Sequence, residues 1–240
     1  MTSIPASLSP VQAQAYMDRV FAHELSAVEG PNHPMRYQLR KSSSNLTTTK
    51  EIMETKDGDV ALLIAVNGQP LSPAAEHKEQ ARLDGLLSDP SRQQSRSHSE
   101  DADTARARKV LRALPKAFLY QYAGPAQGPA GEVEKFTFRP NPAFRPFGLD
   151  MQVLTALAGS ILVDPAAERV VRLDGHLQHG VDFGWGILGR LDRGGWIAIE
   201  DANVYGKQWR IVHIQIHMNG RVLFRSRNFD MVEDESHFES

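Results

Sequence analysis

The sequence predicts a single α+β domain with an antiparallel sheet, and three observations support this class. Runs of alternating apolar and polar residues, typical of half-buried strands, recur along most of the chain. These runs follow one another through short turns and do not alternate with helices, which favours antiparallel pairing. Helix signals are confined to about residues 9–30 and 72–115, with one short helix further on. A chain of 240 residues, 41% of them hydrophobic, can bury a full core.

The first helix is predicted between Ser9 and Gly30. Ser9 is a typical N-cap, Pro10 suits the first helical position and Gln12 completes a capping box. Apolar residues then recur at helical spacing until Gly30-Pro31 ends the pattern. Three strands are predicted next, at 35–40, 50–55 and 60–66. The third is almost entirely apolar and is therefore expected near the centre of the sheet.

A helical insertion is predicted at about 72–115. Ser72 and Pro73 mark the start of its first helix, which is expected over 74–88. Residues 89–104 are mostly Ser, Arg, Gln, Asp and His, so this part is expected to be mobile or weakly ordered. Helix is expected again over 105–114. The insertion is either a lid over the sheet or a long connection.

The remainder predicts a long antiparallel meander, which brings the total to about nine to eleven strands. A short helix is expected at 149–157, followed by strands at 160–164 and 169–177. The last three strands are expected at 196–204, 208–218 and 222–231, with Asn219-Gly220 as a hairpin turn. The stretch from Gly180 to Ile199 contains six glycines and two tryptophans, which predicts a bend in the sheet.

No motif in the chain predicts catalysis, a metal or a cofactor. The run Gly184-Trp-Gly-Ile-Leu-Gly matches the dinucleotide fingerprint, but no helix can follow it before the next turn. His213 and His217 lie on a predicted strand, where about 13 Å would separate them, too far for one zinc ion. The chain has no cysteine, and the acids near the bend (Asp174, Asp182 and Asp192) do not by their spacing identify a hydrolase.

Charge and hydropathy restrict the partners. The net charge of −2 gives no reason to expect nucleic acid. No apolar run reaches the length of about 18 residues that spans a bilayer, so the chain is not expected to cross a membrane. The first residues show neither the basic nor the apolar region of a signal peptide. The sequence predicts no oligomeric state.

Aromatic residues on predicted strands are the candidate binding residues. They form either the core between sheet and helices or part of an open face for an apolar ligand. With the tryptophans near the bend, the candidates are Phe118, Tyr120, Tyr122, Phe136, Phe138, Trp185, Trp196 and Trp209.

The order of helix, meander, helical insertion and long meander resembles the bacterial lipoprotein carriers of the LolA and LolB type. Three stretches are also similar to a family of uncharacterised bacterial proteins with that fold. They are Tyr37-Gln-Leu-Arg-Lys-Ser-Ser, Phe138-Arg-Pro-Asn-Pro-Ala-Phe-Arg-Pro and Val181-Asp-Phe-Gly-Trp-Gly-Ile-Leu-Gly-Arg-Leu. The resemblance implies one unclosed antiparallel half-barrel over residues 1–240, with helices packed on its concave face.

The resemblance further implies a non-enzymatic envelope protein. One expectation is a periplasmic or envelope-associated carrier for a lipid, an acyl chain or lipidated cargo, provided that a signal peptide has been removed. The alternative is a structural or protein-interaction module of the envelope in which helices plug the barrel. Arg36 and Arg40 are the candidates for the polar contact that carriers of this type make.

Overall fold

The computed structural model describes residues 7–30, 33–55, 58–183, 189–206, 208–222 and 225–239. Side chains are not described for residues 90, 92, 93, 95–97, 149, 150 and 222. Within the described part, helices pack on a single antiparallel sheet of 13 strands. The chain is an α+β protein with an unclosed half-barrel, as predicted.

Three α-helices and one 3-10 helix are present in the described residues. They are α1 (Pro10–Glu29), α2 (Pro73–Leu87), α3 (Pro90–Ala117) and the 3-10 helix (Leu149–Thr155). The predicted capping box of α1 is confirmed, because Ser9 Oγ accepts from Gln12 N at 3.3 Å and Gln12 Oε1 from Ser9 N at 2.9 Å. No helix in the described residues is long and apolar enough to cross a membrane.

The strands form one continuous path across the sheet. They are β1 (Arg36–Ser43), β2 (Thr47–Met53), β3 (Val60–Val66), β4 (Gln69–Pro70), β5 (Phe118–Gly128), β6 (Gly131–Pro140), β7 (Leu157–Asp164), β8 (Arg169–Leu177), β9 (Val181–Phe183), β10 (Gly189–Leu191), β11 (Trp196–Val204), β12 (Gln208–Val222) and β13 (Arg225–Glu239). Eleven of them have the order β4-β3-β2-β1-β13-β12-β11-β8-β7-β6-β5, while off this path β10 pairs with β12 and β9 pairs with β10. The C-terminal strand β13 therefore joins the first meander to the second.

Residues 89–104, expected to be weakly ordered, form the first half of α3. The Asp89 side chain caps this helix by accepting from Ser91 N at 3.0 Å. Apolar packing begins near the C-terminal end, where Leu114 and Ala117 are buried. A helix needs an apolar stripe only where it packs, so helix can form here although the first half of α3 offers few apolar residues.

The position expected for β3 is wrong, because β3 lies next to one end of the sheet and not at its centre. Its free edge is covered by the two helices of the insertion. On α2, Glu79 accepts from Leu63 N at 2.8 Å and Arg82 donates to the carbonyl oxygen of Ala61 at 2.5 Å. On α3, Glu100 accepts from Asp59 N at 3.0 Å. Such side-chain contacts block the addition of another strand.

The glycine-rich stretch forms a hairpin and not a simple bend. Strands β9 and β10 pair with Phe183 opposite Gly189, and residues 184–188 between them lie outside the described residues. The predicted turn at Asn219-Gly220 is wrong, since β12 continues through both residues to Val222. A Cβ on Gly220 would lie 2.2 Å from the carbonyl oxygen of Arg190, so glycine is needed there for the close approach of β10.

The core lies between α1 and the second meander. Tyr16 of α1 stacks on Phe136 of β6 with 5.1 Å between ring centroids, and Phe21 packs on Tyr120 at 5.8 Å. The 3-10 helix adds Met151 and Leu154 to the same cluster. It ends at Thr155, and β7 begins at Leu157, earlier than predicted. The side of the sheet that faces α1 is called the inner face below.

Candidate functional site

The register of the strands defines two rows of side chains on the inner face. One row runs through Phe136, Ile161, Leu173, Ile199, Ile214, Glu233 and Lys41. The other runs through Phe138, Gly159, Gly175, Ile197, Ile216, Met231 and Ser43. Both rows begin beneath α1 and cross to the first meander.

The middle of these rows forms an apolar surface, here called the floor, consisting of Ile197, Ile199, Ile214, Ile216 and Met231. All five side chains are half-buried and none belongs to the fully buried core cluster, although Ile197 packs against that cluster. The main helix contacts of the sheet lie at its flanks, with α1 on β5 and β8 and α2 on β3. The floor therefore lies on the part of the inner face between the two helix-covered flanks.

A cavity of about 270 Å³ adjoins the floor at the end of β13. It is lined by Met231 of the floor, by Phe229 and by residues of the β1–β2 connection. Phe229 is 52% exposed and shares the inner face with Met231. Lys41, also at this cavity, forms an ion pair with Glu233. This end of the floor is open and combines apolar and charged groups.

Charged residues lie beyond the end of the floor that is opposite the cavity. Glu24 of α1 accepts two bonds from Arg169, at 2.9 and 2.8 Å, and one from Val170 N at 2.8 Å. The side chains of Arg169 and Glu24 are only 16% and 10% exposed. The Arg169 guanidinium also lies over the ring of Trp209, 5.4 Å from its centroid. This buried pair ties α1 to β8.

A second buried arginine joins three strands. Arg210 of β12 makes a bidentate ion pair with Glu54, which follows β2, and lies 4.0 Å from Glu235 of β13. Its guanidinium lies over the ring of Tyr37 on β1, 5.1 Å from the centroid. The second carboxylate oxygen of Glu54 accepts from Met35 N at 3.0 Å. Arg210 therefore holds β12 to the first meander.

Two acids near these arginines have raised pKa values. Burial, followed by the nearby charge of Glu24, raises the pKa of Asp201 to about 7, although Arg169 opposes the shift. Burial also raises the pKa of Glu235 to about 7, with Glu54, Glu233 and Asp201 adding to the shift and Arg210 opposing it. Arg169 and Arg210 are engaged by Glu24 and Glu54, respectively. The arginines therefore compensate the negative charges of Asp201 and Glu235 only in part.

We expect these two acids to make the protein less stable as the pH rises from about 4 to about 7. In that range Asp201 and Glu235 hold their protons when folded but lose them when unfolded, where their pKa values are 3.8 and 4.5. Each pKa unit corresponds to somewhat more than about 1 kcal/mol, so the decrease is on the order of a few kcal/mol. Urea unfolding between about pH 4 and 8 measures it.

The double variant Asp201→Asn/Glu235→Gln should remove most of this decrease, because neither replacement titrates. The comparison of the two proteins isolates these acids from other titrating groups. Equal pH dependence in the wild type and the double variant would contradict the assignment.

Four of the eight predicted aromatic candidates are core residues. Phe118, Tyr120, Phe136 and Phe138 are between 0% and 4% exposed and pack around α1. Tyr122 is half-buried and donates to Glu134 at 2.5 Å. These five residues do share the inner face, as the spacing predicted, but α1 covers them.

The other candidates are separated from this group. Trp196 lies on the outer face, where it stacks on His217 with 6.1 Å between centroids. Arg36 and Arg40 alternate with Tyr37 and Leu39 and bind Glu51 and Asp234. They are therefore on the opposite face from the floor. Trp209 contacts Arg169, and Trp185 lies outside the described residues.

Sequence reasoning missed the floor and both buried arginines. The signal for the floor was present in the alternation of Ile197 with Ile199 and of Ile214 with Ile216. No comparable signal marks Arg169 or Arg210, because their acidic partners are 145 and 156 residues away in the chain. His213 and His217 lie on the polar outer face, as predicted, beside Asp234 and Asp230.

The structural likenesses of this chain include two solved proteins. No protein-family model matches the chain, and no curated protein matches it. A putative outer membrane lipoprotein-sorting protein domain from Vibrio parahaemolyticus has 8% identity and a TM-score of 0.36, covering 96% of this chain and 93% of that one. MucB, solved in complex with MucA(peri), has 9% identity and a TM-score of 0.26, covering 93% of each chain. Both likenesses concern the fold alone.

Proposed function

We propose that the protein binds an acyl chain, as a free lipid or on a lipidated cargo, along the floor and carries it without chemical change. The observation that supports this most directly is the floor itself, a continuous set of half-buried branched and methionine side chains outside the core. Apolar surface of this kind on the inner side of an open sheet is typical of a binding site. An envelope location, which the sequence resemblance implies, is part of the same proposal.

The dimensions and chemistry of the floor suit a linear apolar ligand. Its residues occupy three neighbouring strands and continue the row of Leu173 on a fourth, a distance of about 14 Å at the usual strand spacing. Each buried methylene contributes about 0.8 kcal/mol, so about ten methylenes would give micromolar affinity. The open end at Phe229 and Lys41 would leave a polar headgroup in water.

The second candidate function is a protein-interaction module without a lipid ligand. It is favoured by the packing of α1 on the predicted aromatic face, which leaves Phe118 and Phe136 with no exposed surface to offer a ligand. In that case the floor would only be the half-buried margin of the core. Measured binding of an acyl chain separates the two functions.

We expect Ile216→Glu to weaken binding of a fluorescent fatty acid at least tenfold, because the carboxylate would lie against the acyl chain. Gln215→Glu is the matched control, since it adds the same charge to the adjacent residue on the outer face. Its affinity should equal that of the wild type. Titration followed by fluorescence measures both.

A second variant guards against loss of the fold in Ile216→Glu. Ile214→Trp fills space above the floor without adding charge and should also weaken binding.

Native mass spectrometry of the wild type purified from cells should show bound lipid. Protein that carries no lipid and binds no fatty acid would rule out the carrier function and leave the interaction module.

A further inference from the structure

The two ends of the sheet differ in how their backbone is covered. At the β3–β4 end, side chains of the helical insertion occupy the free backbone groups of Leu63, Ala61 and Asp59. At the other end, β5 is the last strand of the path and is 11 residues long. In the described residues, the side chain of Gln14 bonds one backbone N–H of this edge. The remainder of such an edge strand is a template for a further strand.

A groove lies beside this edge, between β5 and the first half of α1. Its volume is about 590 Å³. Val11 and Ala15 line it from α1, and Tyr120 and Phe138 line it from the sheet. Val11 is 79% exposed, although it is apolar. The groove therefore has apolar residues on both sides, and polar or charged residues complete its lining: Gln14, Asp18, Gln121, Thr137 and Arg139.

The side chain of Gln14 occupies part of the place that a neighbouring strand would take. Its Oε1 accepts from Tyr120 N at 3.3 Å, and its Nε2 donates to the carbonyl oxygen of Pro115 at 2.8 Å. The bond from Tyr120 shows that this N–H points away from β6 and into the groove. Residues 120 to 122 pair regularly with β6, so the N–H of Tyr122 points the same way.

The accessible part of the edge is short. The register shifts between Tyr122 and Gly124, and Gly124 has a φ of +97°. Pro125, which follows, has no N–H to offer. A bulge and a proline are common means of stopping strand addition. The regular part of this edge thus ends at Tyr122, directly after the β5 residues that line the groove.

We propose that the β5 edge binds an extended peptide of another protein as an additional strand between β5 and α1. The peptide would offer backbone N–H and C=O groups to Tyr120 and Tyr122 and displace the Gln14 amide. Alternate apolar side chains of the peptide would pack against Val11, Ala15 and Phe138. Recognition of this type takes its affinity from the backbone and its specificity from alternate side chains.

The test uses a peptide selected from a displayed library of random decapeptides against the full-length protein. Ala15→Arg places a long charged side chain in the groove and should weaken binding of the selected peptide at least tenfold. Ala22→Arg is the matched control, since it makes the same change two helical turns further along α1, at an exposed position outside the groove. Its affinity should be unchanged.

Hydrogen exchange gives an independent readout. The bound peptide should slow exchange of the Tyr122 amide, which points away from β6, while the Gln121 amide, which faces β6, should already be slow without peptide. Fatty-acid binding at the floor should be the same in Ala15→Arg as in the wild type. This separates the groove from the proposed lipid site.

Four results would overturn the proposal. The first is a library that yields no peptide, and the second is a selected peptide that binds Ala15→Arg as tightly as the wild type. The third is a concentration-dependent dimer that only Ala15→Arg abolishes. The fourth is loss of fatty-acid binding in Ala15→Arg. The third would assign the edge to a second copy of the chain, and the fourth would assign the groove to a lipid.

Discussion

Phe136→Ala is expected to lower the free energy of unfolding by about 3–5 kcal/mol, the usual cost of removing a fully buried phenylalanine ring. Phe136 has no exposed surface. Its ring stacks on Tyr16 at 5.1 Å and contacts Tyr122 at 5.3 Å, so the cavity would lie between α1 and the sheet. Urea unfolding measures the change.

Phe147→Ala is the matched control for this prediction. Phe147 is 84% exposed, and its replacement should change stability by no more than about 0.5 kcal/mol. A Phe136→Ala protein that kept its stability but lost fatty-acid affinity would show that the aromatic residues beneath α1 bind ligand and are not core. The two measurements therefore decide between the two interpretations that the sequence left open.

Local patterns predicted the elements that depend on neighbouring residues. The capping box of Ser9 and Gln12 sets the start of α1, and both partners lie within one turn. The alternation of Phe118, Tyr120 and Tyr122 set their common face, because successive side chains of a strand point to opposite sides. Such signals need no knowledge of the tertiary structure.

The position of each face relative to helices and other strands was not predictable in the same way. Strand β13 pairs with both β1 and β12, and its pairing with β1 joins residues about 200 positions apart. The floor itself lies on the consecutive strands β11, β12 and β13, and the long-range pairing adds only Ser43 beside Met231 at its end. The Asn219-Gly220 error has the same origin, because Gly220 serves the distant strand β10 and not a local turn.

The helical insertion shows a further limit on what can be predicted from amino-acid composition. Glu79, Arg82 and Glu100 are polar residues on amphipathic or polar helices, where they are normally solvated. In the structure all three bind backbone groups at the edge of β3. The insertion thus has a defined structural role at one end of the sheet, which its polar composition did not reveal.

Arg210→Leu is expected to cost about 3–5 kcal/mol of stability, because it leaves Glu54 without its partner in a buried site. The side chains of Arg210 and Glu54 are only 12% and 9% exposed. Arg40→Leu is the matched control, since Arg40 is 56% exposed in its pair with Asp234 and its loss should cost about 1 kcal/mol or less. Chemical denaturation at pH 7 measures all variants.

Adding Glu54→Gln to Arg210→Leu should restore part of the lost stability, because the large cost comes from an unpaired buried charge and not from the absence of the pair. The pKa of Glu235 should rise further in Arg210→Leu, since Arg210 opposes its upward shift in the wild type. The stability of that variant should consequently fall more steeply between about pH 5 and 8 than the wild type does. If Glu54→Gln deepened the loss instead, Glu54 would stabilise the fold independently of Arg210, through the bond it accepts from Met35 N, and the unpaired-charge explanation would be wrong.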